Sequence, residues 1–280
     1  MGTCFAFLGP MKRLAILIPV LALVSGACSV SQDQEAQMGQ QTAQEVEAQL
    51  PIVNDAYINS YINELGDTIA NHTSRADLQW HFYIVNSHQV NAFALPGGYI
   101  YVNRGLIESA DRADELAGVL GHEIGHVILR HSVKQMQQQE KLSVAATLAC
   151  TLTNICKSGL GQAAINVGGT ALISRYSRKD ELQADSEAVE NVLHVNIDPE
   201  GIPALFEVLM EQRKTQPTIV DGWFSTHPLE ESRIQQARHL IQAKGADQTS
   251  GLMQDLPSYA AFRKAVSSLP EPPAPPPQGQ

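Results

Sequence analysis

The segment His122-Glu123-Ile124-Gly125-His126 constrains this chain more than any other. Two histidines four positions apart on a helix lie on one face about one turn apart, so both rings can reach one metal ion. Glu123 then points close to that metal, where a carboxylate can take a proton from water. Two ligands and a general base from one helical turn are the tools of zinc-assisted hydrolysis. The competing reading is a buried helix whose two histidines are satisfied by core hydrogen bonds.

The flanking residues favour the metal helix. From Ala113 to Arg130, apolar Leu116, Val119, Leu120, Ile124, Val127 and Ile128 recur at spacings of three and four, an amphipathic helical pattern. Ser109 and Asp111 are the expected N-cap residues, and Asp114 and Glu115 suit a first turn. Gly121 and Gly125 each cost about 1 kcal/mol of helix propensity against Ala. That cost has a reason if another backbone or a substrate comes close beside the histidines.

A catalytic zinc needs a third protein ligand and an open position. The best candidate lies in Ser177-Arg178-Lys179-Asp180-Glu181-Leu182-Gln183-Ala184-Asp185. Glu181 and Asp185 are again four apart on an expected helix. Glu181 can bind the metal while Asp185 accepts the free N–H of a ligand histidine, which fixes its tautomer. An isolated pair of this kind reads as a solvated acidic face; beside His-Glu-x-x-His it reads as a ligand and its support. His131, five residues after His126, falls about 140° around the helix and reads as a helix-end or outer residue, not a ligand.

Four linked segments resemble the M48 family of zinc metalloendopeptidases: HEIGHVILRH from His122, SRKDELQAD from Ser177, STHPLEESRI from Ser225, and the hairpin NAFALPGGYIYVN from Asn91. The resemblance covers about residues 35 to 245. It implies an α+β fold, mostly helical and zincin-like, with a small β-sheet or hairpin before the metal helix. It implies one Zn2+ per chain held by His122, His126 and Glu181, with Glu123 as base. It adds His227 near the metal, with Arg233 in the same motif expected to stand behind the ligands beside Asp185. The chain departs from the family's integral-membrane branches in lacking their long transmembrane helices, and it ends soon after the His-Pro motif.

The N-terminus reads as a targeting segment. Lys12-Arg13 precede an apolar run from Leu14 to Val24, followed by Ser25-Gly26-Ala27-Cys28. A basic region, a short apolar stretch and small residues form a secretory signal, and the run is too short for a confident transmembrane helix. Cys28 after Gly26-Ala27 resembles a lipobox cysteine, although Ser25 stands where an aliphatic residue is usual. The expected organisation is a signal peptide over 1–27, a lipid-anchored tether over 28–34, a metallopeptidase domain over 35–266 and a proline-rich disordered tail over 267–280. The expected place is the bacterial periplasm, on the outer membrane. The chain carries a formal net charge of −10 with no basic cluster, which argues against nucleic acid as a partner.

Cys150 and Cys156 can pair in an oxidising compartment only if the helix between them breaks near Thr153-Asn154; two buried free thiols are the alternative. Residues 142 to 174 are poor in charge and read as a buried helical hairpin. Helices are expected within 35–71 and around 180–194, 199–214 and 229–244. Alternation in LQWHFYIV, NAFAL and GYIYV predicts strands joined by glycine turns. The strand holding Asn91, Ala92 and Phe93 is expected to offer an open edge to an extended substrate.

The leading functional reading is a zinc endopeptidase acting on unfolded or misassembled cell-envelope proteins. The alternative is a zinc-stabilised periplasmic chaperone or assembly factor with little proteolysis, for which the intact Glu123 is an argument against. A metal-storage module would require further Cys/His clusters, which the sequence lacks.

Overall fold

A computed structural model describes residues 30–139 and 175–272. The expected signal peptide, Cys28, the charge-poor segment with Cys150 and Cys156, and the end of the proline-rich tail lie outside the described residues. The fold is α+β: a three-stranded sheet with helices packed around one helix that is buried along almost its whole length.

The chain enters as α1 (Gln32–Gln49), capped by Ser31, whose hydroxyl accepts from Gln34 N–H while the Gln34 side chain accepts from Ser31 N–H. This helix begins inside the stretch expected as a tether. Asp55 caps α2 (Ala56–Ala70), whose Ile58, Ile62, Leu65 and Ile69 form its buried stripe. Strands β1 (His81–Val85), β2 (Ala92–Leu95) and β3 (Tyr99–Asn103) follow. β3 is central, parallel to β1 and antiparallel to β2. Gly97 and Gly98 turn β2 into β3 at φ of 81° and 97°, values that a side chain would strain.

After the short α3 (Arg104–Ser109) comes α4 (Ala113–Ile128), the helix of the His-Glu-x-x-His segment. Its N-cap is Arg112, not Ser109 or Asp111. Ser109 is the last residue of α3 and donates to Gly105 C=O, and Asp111 pairs with Arg263. Glu115 takes over the capping by accepting Asp111 N–H at 2.7 Å. Every residue of α4 from Ala113 to Val127 is buried.

α5 (Arg178–Leu193) runs against α4 and is started by a capping box between Ser177 and Asp180. The two glycines of α4 explain the fit. A Cβ on Gly121 would meet Ala188 C=O at 3.3 Å, and one on Gly125 would meet Glu187 Cβ at 2.9 Å and Ala184 C=O at 3.2 Å. The close neighbour foreseen from the glycines is therefore the backbone of α5. Residues 131–139 are also helical, and the chain continues after α5 with α6 (Gly201–Thr215), α7 (Pro217–Thr226), α8 (Glu231–Lys244), α9 (Ala246–Thr249) and α10 (Pro257–Ser267). α7 and α10 each begin with a proline, Pro217 and Pro257, and Arg104 ties the end of α10 by donating to the carbonyls of Ser267, Leu269 and Pro270.

Gly125→Val is expected to push α5 outward, lowering stability by about 1–3 kcal/mol, the usual cost of overpacking, and carrying Glu181 away from the histidines. Chemical denaturation and zinc titration would check this; a variant with unchanged stability and zinc affinity would contradict the packing account.

Candidate metal centre

Four side chains meet between α4, α5 and the end of α7. Single ligand atoms from His122, His126, Glu181 and His227 all lie within 4.8 Å of one another, and all four residues are buried. His122 and His126 come from successive turns near the C-terminal end of α4, with their Nε2 atoms 3.1 Å apart. Glu181, one turn into α5, places Oε1 3.5 Å from His126 Nε2 and Oε2 3.7 Å from His122 Nε2. His227 follows Thr226 at the C-terminal end of α7. Its Nδ1 is 3.2 Å from Glu181 Oε1 and 3.4 Å from His122 Nε2, and its Nε2 is 3.5 Å from Glu123 Oε1.

The outer partners fix the proton positions. His122 Nδ1 lies 3.0 Å from Asp185 Oδ1. His126 Nδ1 lies 2.9 Å from Nδ1 of His131. Both ligand rings therefore turn Nε2 lone pairs toward the same point, an assignment made from the network. Lone pairs 3.1 Å apart repel unless a cation sits between them. Both oxygens of Glu123 and Nε2 of His227 are buried with no hydrogen-bond partner. Buried polar atoms are rarely left so. The donor set of imidazoles and a carboxylate fits Zn2+, and zinc is the metal of this site.

Arg233, buried on α8, binds Asp185 through Nε and Nη2 and Glu181 through Nη1, and donates to Pro228 C=O at 3.0 Å. Burial raises the Asp185 carboxyl, but Arg233 outweighs it and holds the pKa below the ordinary value. For Glu181, burial is likewise opposed by His227, His126 and Arg233, and the net pKa is well below normal. Burial drives His126 well below its usual pKa, which favours the neutral, ligating ring. Glu123 is raised by burial, with His227 and His122 pulling it back. Burial works against protonated His227, yet Glu181 and Glu123 more than offset it and raise its pKa.

Asn91 immediately precedes β2, and Ala92 and Phe93 open that strand, which is an edge of the sheet. All four residues of β2 are buried. Asn91 C=O accepts from Asn103 N–H at 2.9 Å. By the alternation of an antiparallel pair, Ala92 and Ala94 then turn their backbone groups away from β3. Phe93 points to the other face, under α1, with Tyr101.

The motifs alone did not reveal two aromatic neighbours. Tyr176 stacks on His126 with centroids 3.9 Å apart and shares a hydrogen bond with Ser132 at 2.8 Å. Trp223 stacks on His227 at 4.6 Å. Tyr176 directly precedes the Ser177 motif without a periodic signal, whereas Trp223 lies four residues after Ile219 and three after Val220, a helical apolar spacing that could have found it.

A buried His-Glu-x-x-His helix joined by a glutamate from α5, in a fold with a small mixed sheet, defines a zinc-dependent metallopeptidase. Residues 56–241 match Peptidase family M48, and the chain belongs to that family. It is 30% identical over 224 residues to the Beta-barrel assembly-enhancing protease of Escherichia coli (strain K12), covering 77% of this chain and 45% of that protein. It is 28% identical over 242 residues to the Mitochondrial metalloendopeptidase OMA1 of Schizosaccharomyces pombe, with 84% and 70% covered. Metalloprotease LoiP of Escherichia coli (strain K12) is 28% identical over 222 residues, with 78% and 85% covered. The chain spans about half the length of the assembly-enhancing proteases it matches.

Replacing Arg233 by Leu leaves Asp185 and Glu181 buried without their cation. Breaking a buried pair in this way costs about 3–5 kcal/mol, so urea unfolding should show a loss of that order. Arg233→Lys should recover only part, having charge but no fork. Wild-type stability in Arg233→Leu would contradict the clamp.

Proposed function

We propose that the chain is a zinc endopeptidase that cuts unfolded or misassembled cell-envelope proteins. The observation that carries the catalytic part is the convergence of His122 Nε2, His126 Nε2 and Glu181 Oε1 beside the unpaired, buried carboxylate of Glu123. His122, His126 and Glu181 hold the metal. Asp185 orients His122, and Arg233 holds Asp185 and Glu181 in place. When bound, Zn2+ supplies the Lewis acidity that polarises the scissile carbonyl and acidifies a water. Glu123 takes that water's proton and returns it to the leaving amine, and burial, which raises its pKa, favours the proton-carrying form between the two transfers.

His227 holds its ring among the ligands, with Nδ1 close to both Glu181 and His122. That placement supports a resting state in which His227 fills the fourth position and silences the enzyme. The other role is donation to the developing oxyanion. Glu123→Gln should keep about one zinc per chain while losing turnover by about 10²–10⁴-fold, as for a missing general base. His227→Ala should raise basal activity if the ring silences the site and lower kcat if it stabilises the oxyanion. Metal analysis with a casein digest reads both variants; full activity in Glu123→Gln would end the catalytic assignment.

The edge position of β2 supports binding of substrate as an added strand, with Asn91, Ala92 and Phe93 at its start. A strand site reads backbone and so requires chain that is locally unfolded. The similarity to the Beta-barrel assembly-enhancing protease points to envelope proteins as the source of such segments. One protein digested in native and destabilised forms should be cut only when destabilised. Equal rates on both forms, or dependence on one short motif in a folded partner, would replace quality control with dedicated processing.

For location, we infer a signal peptide over 1–27, lipidation at Cys28 and attachment to the periplasmic side of the outer membrane. The basic-then-apolar N-terminus and the small residues before Cys28 support this. No helix among the described residues is long and apolar enough to cross a membrane. Cys28→Ala should convert a membrane-pelleting protein into one recovered in the periplasmic extract; an unaltered protein that is already fully in the extract would contradict the anchor.

A further inference from the structure

The two imidazoles that face the metal position are supported in different ways. His122 is backed by the carboxylate of Asp185. His126 is backed by another imidazole, Nδ1 to Nδ1 at 2.9 Å, from His131. One of two facing nitrogens must carry the proton and the other must accept it. His126 Nε2 faces His122 Nε2 and Glu181, so its proton belongs on Nδ1. Nδ1 of His131 is then the acceptor, and the His131 proton is left on Nε2. That nitrogen lies 3.7 Å from Asp180 Oδ1, with the Gln183 side chain also beside the ring.

Asp180 is free on that side because its other oxygen is used in the cap of α5. Its Oδ2 accepts from Ser177 N–H at 3.2 Å and from the Ser177 hydroxyl at 2.6 Å. The residue next to Asp180 is Glu181. One short segment thus starts the helix that carries the third ligand and places a negative charge behind the chain His131–His126. Both His131 and His126 are buried, so water does not compete for these protons.

We propose that His131 is a positioning residue for His126. It fixes the ring's tautomer and rotation and, with Asp180 behind it, raises the basicity of the nitrogen that meets the metal. This rests on the assignment of His122, His126 and Glu181 as ligands. It explains why a histidine five positions after His126, on the wrong helical face to be a ligand, is nonetheless buried at the centre: the α4 helix ends at Ile128, and Arg130 at φ of 56° turns the chain so that His131 folds back under His126.

The test is zinc affinity by chelator competition on the full chain. His131→Phe keeps a ring but no acceptor; His131→Asn places an amide oxygen where Nδ1 stands. Removing such an outer partner typically costs 10–100-fold in metal affinity. The Phe variant should lose affinity by about that factor, and the Asn variant should recover most of it. With Co2+ in place of zinc, the visible absorption should shift in the Phe variant and stay near the parent in the Asn variant. His131→Gln, whose amide sits farther out, should behave as Phe does and serves in its place if the Phe variant does not fold. Equal zinc affinity in the parent and Phe variants would overturn the proposal. So would equal losses in the Asn, Gln and Phe variants, which would mark a packing role only. A parent chain that binds no zinc would instead overturn the ligand assignment on which it rests.

Discussion

Burying three carboxylates within a few ångströms of one another is the constraint around which this structure is arranged. Glu123, Glu181 and Asp185 are each 0% exposed. An unpaired buried carboxylate is among the most unfavourable groups a fold can hold. Arg233 supplies one positive charge, and its fork contacts two of the three acids. With neutral imidazoles this leaves a formal charge of about −2, which a divalent cation cancels. Folding and metal binding are therefore coupled in the proposed site: the cluster assigned to the metal is the cluster that most needs it. This coupling also separates the acids by role. Glu181 and Asp185 have cationic or imidazole partners, while Glu123 has two unpaired oxygens and remains available for proton transfer.

That arrangement depends on how closely α4 and α5 approach. Ligands from two helices can share one ion only if their backbones are near enough for short side chains to meet. Gly121 and Gly125 give up helix propensity and allow the α5 backbone at Ala184 and Ala188 to lie directly against α4. The two small residues on α5 are on its buried face, as are Glu181 and Asp185. The same spacing of three and four therefore carries both the close contact and the chemistry.

Much of the site was legible because its signals are local. The four-residue spacings of His122 with His126 and of Glu181 with Asp185 determine which side chains share a face. Period-two alternation located all three strands. The order β1-β3-β2 was not legible, because it depends on pairing between distant segments. Likewise Arg233 showed only as part of a motif, and its bidentate hold on Asp185 arises from the packing of α8 on α5. α7 was missed because it is short: its apolar Ile219, Val220, Trp223 and Phe224 do recur at spacings of three and four, but over little more than one turn after Pro217. The N-cap of α4 was misplaced because Ser109 satisfies a carbonyl within α3, a competition that sequence spacing cannot resolve.

The fully buried state of the cluster bears on how the proposed chemistry is controlled. A peptide cannot reach Glu123 while His227 lies over it and Trp223 lies over His227. α7 carries Trp223 and ends at its cap residue His227, and its backbone is tied to the chain just ahead of β2: Trp223 N–H donates to Val90 C=O at 3.1 Å, and Val90 N–H donates to Ile219 C=O at 2.8 Å. Val90 is the neighbour of Asn91, where the proposed substrate strand begins. The helix that covers the site and the edge that would receive the peptide thus share one residue. Any displacement of α7 that withdraws His227 breaks or drags both bonds and so acts directly on the start of the edge strand. The proposed opening of the fourth position and the proposed presentation of the strand edge are in this way geometrically linked, with Val90 as the joint.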